Sequence, residues 1–284
     1  MKRALITGSG GFIGSHLLKA LRSNGVEVIK FSLEEGQQIT NPKDFLNLPK
    51  VDVVFHLAAV SGYKDSKSNP NLAYEVNVGG TVNVLEYCKK VGAKIVFPST
   101  YVYDKPYADY KKETDSIGPT THYSHTKFLG EELCRFYAFV YGVNSVIVRT
   151  LNVYGAGQNA QYIVPMIVNH VIKSKPLKLT KPSVERSYIY IDDIVKAFMG
   201  LAKAETGPGE VFNAAPLKPT SLEELVSLVE KITGKKAKVS YSGESRPHEV
   251  SLNRFDTSRI RKKIDWQAKV DLKQGLTKYI NNLD

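Results

Sequence analysis

The sequence predicts an α/β fold with a doubly wound parallel sheet and a smaller C-terminal lobe. Short apolar runs at residues 4–6, 26–31, 51–59 and 93–97 indicate strands. Segments with apolar residues at helical spacing separate these runs. Buried strands that alternate with helices are typical of parallel sheets with helices on both faces.

The first turn from strand to helix carries the strongest motif in the chain. Residues 7–14, Thr-Gly-Ser-Gly-Gly-Phe-Ile-Gly, join the first strand to a segment with helical spacing. Glycines at 8, 11 and 14 permit a tight turn, let peptide N–H groups approach a pyrophosphate, and direct the positive helix end toward it. We interpret the turn as the dinucleotide cradle of a Rossmann-type domain; an ordinary strand-to-helix turn is the alternative.

The end of the second strand leaves the choice of dinucleotide open. A dinucleotide fold usually places an acid there to bind the adenosine ribose, but this chain has Ser32. The serine is consistent with NADP, yet no arginine follows, and Glu34 or Glu35 is an alternative source of the acid. Gln38 is a candidate for an adenine contact, with a plain polar loop as the alternative.

The third strand ends in residues that let a cofactor pass close to the backbone, namely Leu57, Ala58 and Ala59. His56, just before them, is interpreted as a packed residue rather than a catalyst. A helix is predicted over 72–91, and the next strand, 93–97, brings Ser99 to its carboxyl end. Catalytic groups of open parallel sheets gather at that edge.

Tyr123 and Lys127 lie four residues apart at the start of a helix predicted to reach about residue 141. This spacing places both side chains on one helix face. A cation near a phenol favours the phenolate, so we expect Lys127 to lower the pKa of Tyr123 toward neutrality. Together with Ser99 and the glycine turn, the pair indicates acid–base chemistry beside a dinucleotide.

In these motifs the chain resembles the extended short-chain dehydrogenases/reductases, in the NAD-dependent epimerase/dehydratase branch that acts on nucleotide-diphosphate sugars, particularly the UDP-glucose 4-epimerase-like group. Further matching segments cover nearly the whole chain: 56–59, 77–81, 102–103, 149–155, 186–193, 212–213 and 246–248.

The resemblance implies a role for each matching residue. Tyr123 is implied to be the acid/base, Ser99 to hydrogen-bond the reacting oxygen, and Lys127 to hold the nicotinamide ribose. Asn152, Arg186 and Arg246 are implied to bind the sugar nucleotide, the arginines at its diphosphate. The implied cofactor-binding residues are Gly8, Gly11, Phe12, Ile13, Gly14, Ser32, Gln38, Ile39, Leu57, Ala58, Ala59, Tyr123 and Lys127.

Several reactions use this set of residues. A dehydratase is disfavoured because Thr100-Tyr101 replaces the Asp-Glu pair that follows the catalytic serine or threonine in family dehydratases. An NAD-dependent epimerase acting through a 4-keto sugar is expected, and a 4-ketosugar reductase using NADPH is the alternative. A nucleotide-sensing or RNA-binding protein without catalysis is disfavoured because Ser99, Tyr123 and Lys127 are all retained.

The domains expected are a dinucleotide-binding domain over 1–152, with returns near 186–200 and 211–214, and a substrate-binding lobe over most of 153–284. The family commonly dimerises through the helices near 72–91 and 123–141, so a homodimer is expected. Packing within the monomer is the alternative use of their apolar surface.

Composition indicates a globular protein: 42% of the 284 residues are hydrophobic and 24% are charged. The net charge of +11 is scattered rather than clustered, which favours an anionic nucleotide over nucleic acid as partner. Cys88 and Cys134 lack metal-ligand spacing, so buried thiols and no metal site are expected. We expect a cytoplasmic protein with no membrane association, since no signal peptide or spanning segment is evident.

Overall fold

The computed structural model describes residues 1–104, 110–216, 218–244 and 254–283, and it confirms the predicted α/β class. Its centre is a six-stranded sheet in the order β11-β6-β4-β3-β1-β2, in which every strand pair is parallel. These strands are β1 (Arg3–Thr7), β2 (Glu27–Phe31), β3 (Val53–His56), β4 (Lys94–Ser99), β6 (Ser145–Thr150) and β11 (Glu210–Ala214).

Shorter strands form four two-stranded pairs outside the central sheet, in the combinations β10 with β7, β12 with β9, β13 with β8 and β14 with β5. They are β5 (Tyr110–Lys111), β7 (Val153–Tyr154), β8 (Pro176–Leu179), β9 (Glu185–Arg186), β10 (Ile189–Tyr190), β12 (Thr220–Ser221), β13 (Lys238–Tyr241) and β14 (Arg254–Phe255).

The helices are α1 (Phe12–Ser23), α2 (Tyr63–Ser68), α3 (Pro70–Tyr74), α4 (Gly80–Val91), α5 (His122–Tyr141), α6 (Ile163–Ile172), α7 (Ile191–Lys203), α8 (Leu222–Thr233), α9 (Ser258–Ile264) and α10 (Leu272–Ile280). Short 3₁₀ turns cover Leu33–Glu35 and Pro42–Phe45, and a π-helical turn covers Glu75–Gly79. The helix predicted over 72–91 is therefore divided into α3, the π turn and α4.

Helices cover both faces of the sheet because successive side chains of each strand point to opposite faces. In β1, Ala4 and Ile6 join an apolar cluster with Leu17 and Leu21 of α1. Leu5 points the other way and joins the cluster that contains apolar residues of α4 and α5. This alternation produces the doubly wound arrangement. Cys88 and Cys134 are buried and unpaired in the second cluster, as expected.

A buried ion pair ties α5 to β6 beneath the carboxyl edge of the sheet. The Arg149 guanidinium donates from Nε to Glu131 Oε1 at 2.9 Å and from Nη2 to Glu131 Oε2 at 2.6 Å. Both side chains are at most 1% exposed. Arg149 also lies 4.7 Å from the Tyr103 ring centre, so the charge is surrounded on several sides.

Glu131→Gln removes the charge that balances buried Arg149, and we expect it to lower the free energy of unfolding by about 3–5 kcal/mol. Urea denaturation followed by circular dichroism measures this change. The adjacent exposed variant, Glu132→Gln, is the control and is expected to cost less than about 1 kcal/mol. Equal effects of the two variants would contradict a stabilising role of the buried pair.

Candidate functional site

The candidate site lies at the point where the strand order of the sheet reverses, between β1 and β3. Thr7 at the end of β1 is in register with Phe31 of β2 and with His56 of β3. A crevice opens outside the carboxyl ends of strands at such a reversal. The β1–α1 turn, with residues 8–11, therefore lies next to the segment that follows β3.

The glycines of this turn fit a dinucleotide cradle. Gly8 has φ +70°, and a Cβ there would lie 2.8 Å from the backbone nitrogen of Ala58. A Cβ at Gly14 would overlap the carbonyl oxygen of Gly8. Gly11, the N-cap of α1, supplies no capping side chain, and the first turn of α1 contains no acid. The positive end of α1 is thus available to a pyrophosphate.

Ser9 in the turn and Ser32 at the end of β2 add polar atoms that can bind a dinucleotide. Ser9 Oγ and Ser32 Oγ are buried and have no hydrogen-bond partner within the described ranges. Buried hydroxyls are normally hydrogen-bonded, so such atoms suit the oxygens of a ligand. The residues present therefore fit a dinucleotide cofactor.

The remaining predicted cofactor residues differ in how far their side chains are exposed. Phe12 and Ile13 are half-buried at the start of α1, and Leu57 and Ala59 are half-buried after β3. Ile39 is buried and packs on Gly80 of α4, so any contact of Ile39 with the cofactor must come from its backbone. Gln38 is exposed, and its backbone N–H donates to Asp44 Oδ2 at 2.7 Å.

Ser99 and Lys127 lie at the carboxyl end of β4, and Tyr123 lies one turn before Lys127 on α5. Ser99 ends β4, and its buried Oγ has no hydrogen-bond partner among the described residues. Tyr123 and Lys127 lie in the first two turns of α5, and Lys127 Nζ lies 4.0 Å from the ring centre of Phe97, two residues before Ser99. Ser99 and Lys127 therefore both lie at the carboxyl end of β4.

The predicted lowering of the Tyr123 pKa is wrong for the protein by itself. Burial raises the pKa of Tyr123 above its usual value, and the neighbouring Tyr162 phenol raises it further. Burial also lowers the pKa of Lys127 to about 8, against a smaller opposing effect of Cys134 and Glu131. The spacing places Lys127 on the correct face, but its ammonium group packs on Phe97.

His56 is a buried structural residue, as the sequence suggested, and its contacts show what it holds. Thr7 Oγ1 accepts from the Ala58 N–H at 3.2 Å and lies 2.8 Å from His56 Nδ1. Thr81 Oγ1 donates to the Asn77 carbonyl at 2.6 Å and lies 2.9 Å from His56 Nε2. This pattern assigns the proton to Nε2. Burial lowers the pKa of His56 to about 3, so the ring is neutral.

Asn77 continues this hydrogen-bonded chain to α5. Its side chain accepts from the Val60 N–H at 2.8 Å and donates to the Val60 carbonyl at 3.1 Å. It also donates at 2.9 Å to Thr126 Oγ1, which donates to the Tyr123 carbonyl at 2.9 Å. Residues 56–60 are thereby fixed to both the glycine turn and α5. Sequence reasoning missed this set, because no spacing relates Thr7, Asn77 and Thr126.

Tyr162 is another residue that the sequence analysis did not identify. It precedes α6, and its Oη lies 3.1 Å from Ser61 Oγ, which follows β3. Its phenol is close enough to Tyr123 to raise the pKa of that residue. Nothing local marks this tyrosine, since it lies 39 residues after Tyr123 in the sequence.

The structure brings two of the three predicted substrate-binding residues together. Asn152 Nδ2 donates to the Ser187 carbonyl at 2.9 Å, and the backbone carbonyl of Asn152 accepts from the Ile189 N–H at 3.2 Å. These bonds hold the segment carrying Arg186 beside the end of β6. Arg246 lies outside the described residues.

The family model described as "NAD dependent epimerase/dehydratase family" matches residues 4–215, and the chain belongs to this family. It is 30% identical to a protein named putative UDP-glucose 4-epimerase from Methanocaldococcus jannaschii, over 98% of this chain and 97% of that protein.

Solved structures of similar proteins agree with the fold and its length. A UDP-glucose 4-epimerase from Thermotoga maritima, solved with UDP-glucose, superimposes with a TM-score of 0.91 at 27% identity, covering 98% of this chain and 97% of that chain. A mutant UDP-glucuronic acid 4-epimerase from Bacillus cereus gives a TM-score of 0.89 at 27% identity, covering 98% of each. It was solved with a fluorinated UDP-sugar and NAD.

Two further observations concern metals and membranes. Within the described residues, no group of three or more His, Cys, Asp and Glu side chains is arranged to hold a metal ion. No helix in the same ranges is long and apolar enough to cross a bilayer. The cytoplasmic location stays a prediction.

The buried lysine makes stability depend on pH. The pKa of Lys127 is about 8 in the folded protein and 10.5 ordinarily, so between these values the unfolded chain binds more protons. Lys127 should therefore raise the free energy of unfolding between about pH 8 and 10. Lys94, whose pKa burial also lowers to about 8, contributes with the same sign. Burial raises the pKa values of the Cys88 and Cys134 thiols, so from about pH 9 they oppose this rise, and above about pH 10 the raised tyrosine pKa values oppose it as well.

Lys127→Met should flatten part of this rise, measured by urea denaturation of the cofactor-free protein at about pH 7.5, 8.5 and 9.5. Lys90→Met, at an exposed position of α4, is the control and should keep the wild-type slope. If Lys127→Met kept the wild-type dependence of stability on pH, burial would not lower the pKa of Lys127.

Proposed function

We propose that the protein is an NAD-dependent epimerase that inverts C4 of a nucleoside-diphosphate sugar through a 4-keto intermediate. The observation that carries this proposal is the buried Ser99 Oγ, which has no hydrogen-bond partner among the described residues and lies at the strand end where Lys127 of α5 packs, in a protein whose glycine turn fits a dinucleotide. Support also comes from relatives whose names or solved structures include UDP-sugars and NAD. A UDP-hexose or UDP-hexuronic acid is the substrate class we propose.

The described side chains supply the acid–base steps. Tyr123 Oη takes the proton of the C4 hydroxyl, and Ser99 Oγ donates a hydrogen bond to the oxygen where negative charge develops. A nicotinamide held at the glycine turn would supply the hydride acceptor and donor that inversion at C4 requires. Tyr123 then returns the proton to the C4 oxygen. The atoms balance without another acid, base or metal ion.

The raised pKa of Tyr123 sets a requirement for the first proton transfer. Near pH 7 the phenol is protonated in the protein alone, because burial penalises the phenolate. Its deprotonation therefore needs positive charge closer to its oxygen than this structure provides. Lys127 lies one turn away and, with a pKa of about 8, is mostly charged near pH 7. We propose that Lys127 turns from Phe97 toward the ribose and the phenol when ligands bind.

We propose that the substrate lies between the dinucleotide-binding domain, which comprises 1–152 with the returns near 186–200 and 211–214, and the lobe formed by most of 153–284. The Tyr162–Ser61 contact spans this cleft beside Tyr123, and Asn152 with Arg186 borders it. A guanidinium forks onto phosphate oxygens, so Arg186 is proposed at the diphosphate.

A 4-ketosugar reductase is the second candidate, and the observation that favours it is the absence of an acid at Ser32. Such an enzyme uses the same serine, tyrosine and lysine once per turnover and exchanges NADPH. The reductase consumes NADPH and the epimerase causes no net redox change, so the absorbance of reduced nicotinamide distinguishes the two candidates.

The experiment that tests the proposal is incubation with UDP-glucose and UDP-glucuronic acid, with chromatographic separation of the C4 epimers. An epimerase interconverts the epimers with no net absorbance change, whereas a reductase consumes NADPH only when a 4-keto sugar nucleotide is added. Tyr123→Phe is expected to lower kcat by about 10²–10⁴-fold while NAD still binds, because only the proton transfer is lost.

Tyr141→Phe, at the exposed end of α5, is the matched control and should retain wild-type kcat. Substantial turnover in Tyr123→Phe would contradict the assigned acid–base role. If neither reaction is observed with any UDP-, GDP- or dTDP-sugar, the enzymatic proposal itself fails.

We propose a homodimer formed through α4 and α5. The C-terminal half of α5 exposes Phe136, Phe139, Val140 and Tyr141, with Phe139 72% exposed. Adjacent exposed apolar residues of this size are typical of an interaction surface. Tyr137 of the same helix is instead buried and donates to Glu86 of α4 at 2.7 Å, so part of the apolar excess serves packing within the monomer.

Phe139→Glu should convert the dimer to a monomer, because it places a charge in the proposed apolar interface. Sedimentation equilibrium at micromolar concentration measures the mass. Leu33→Glu, which changes a residue that is 77% exposed elsewhere on the molecule, is the control and should stay dimeric. A monomeric wild type would refute the proposed dimer.

A further inference from the structure

The end of β2 presents a polar surface without the expected acid. Ser32 follows Phe31 directly, and its buried Oγ has no hydrogen-bond partner within the described ranges. The Phe31 carbonyl accepts from the Gly8 N–H at 2.7 Å, so the end of β2 and the glycine turn are in contact. The 3₁₀ turn Leu33–Glu35 follows at once and places two carboxylates near this junction.

Of these two acids, Glu34 lies on the glycine turn. A Cβ at Gly10 would overlap the Glu34 carboxyl group, so the carboxylate lies in the space that a side chain at residue 10 would take. Gly10 is not among the positive-φ glycines, so its backbone does not itself demand glycine. Glycine at position 10 therefore leaves room for the Glu34 carboxylate rather than satisfying a backbone conformation.

Glu35 is already engaged elsewhere. It forms an ion pair with Lys30 of β2, so the opposite charges of the two side chains compensate each other. Glu34 makes no ion pair with any residue in the described ranges. A carboxylate without a cation partner keeps its acceptor sites and its negative charge for a ligand.

We propose that Glu34, with Ser32 Oγ, binds the adenosine ribose diol of the dinucleotide and selects NAD against NADP. This inference rests on the proposed dinucleotide cofactor. The two carboxylate oxygens accept the two ribose hydroxyls, while a 2′-phosphate would bring like charge against Glu34. The chain thus moves the discriminating acid two residues beyond the strand end and provides space for it at Gly10.

Isothermal titration of nucleotide-free protein with NAD⁺ and with NADP⁺ tests the assignment without relying on turnover. We expect wild type to bind NAD⁺ at least about 100-fold more tightly than NADP⁺. Glu34→Gln should reduce this ratio at least about tenfold, through weaker NAD⁺ and stronger NADP⁺ binding. Ser32→Ala should weaken NAD⁺ binding a few-fold. Glu27→Gln, which removes an equal charge at the other end of β2, should keep the ratio within about twofold.

The outcomes separate this inference from the proposed function. A ratio unchanged in Glu34→Gln, or a larger fall in Glu35→Gln than in Glu34→Gln, would overturn the role of Glu34 and leave the epimerase proposal standing. Wild type that prefers NADP⁺ would overturn the role of Glu34 and favour the reductase over the NAD-dependent epimerase. If folded wild type binds neither dinucleotide, the proposed cofactor is refuted as well. Thermal melting of each protein verifies that it is folded.

Discussion

The close packing of the β1–α1 turn on the segment after β3 is the constraint on which the site depends. Gly8 touches the backbone of Ala58 so closely that no side chain fits between them. The same strand end supplies Thr7, whose hydroxyl begins the hydrogen-bonded chain through His56 and Thr81. The cradle and the segments around it are thus positioned by one junction, at the reversal of strand order.

Asn77 and Thr126 extend the hydrogen bonds of this junction to α5, the helix that carries Tyr123 and Lys127. Each hydroxyl and amide in the chain has one consistent direction of donation, and the groups are buried, so the arrangement is resistant to rearrangement. The π turn that carries Asn77 fits this role, since an extra residue in a helical turn redirects a side chain. The backbone that holds Tyr123 is therefore set by contacts that begin beside the cofactor cradle.

Burial has a second effect at the site, because it favours the uncharged form of every titrating group. It raises the pKa of Tyr123 and lowers the pKa of Lys127 and His56. The protein alone thus holds a neutral phenol, a neutral imidazole and an ammonium group that packs on an aromatic ring. On the proposed mechanism, ligand binding brings the Lys127 charge to the phenol, in a site whose backbone is already positioned.

The sequence by itself determined four of the six central strands, the glycine turn, the helix carrying Tyr123 and Lys127, and the family, because each depends on residues that are near one another in the chain. The sequence left Glu34 and Glu35 equivalent and gave a wrong direction for the pKa of Tyr123. The tertiary structure distinguishes the two acids, since Glu34 lies over Gly10 and Glu35 pairs with Lys30, and it brings Phe97 and Tyr162 to Lys127 and Tyr123 from other elements. Charge and burial depend on residues distant in sequence, and no local spacing encodes them.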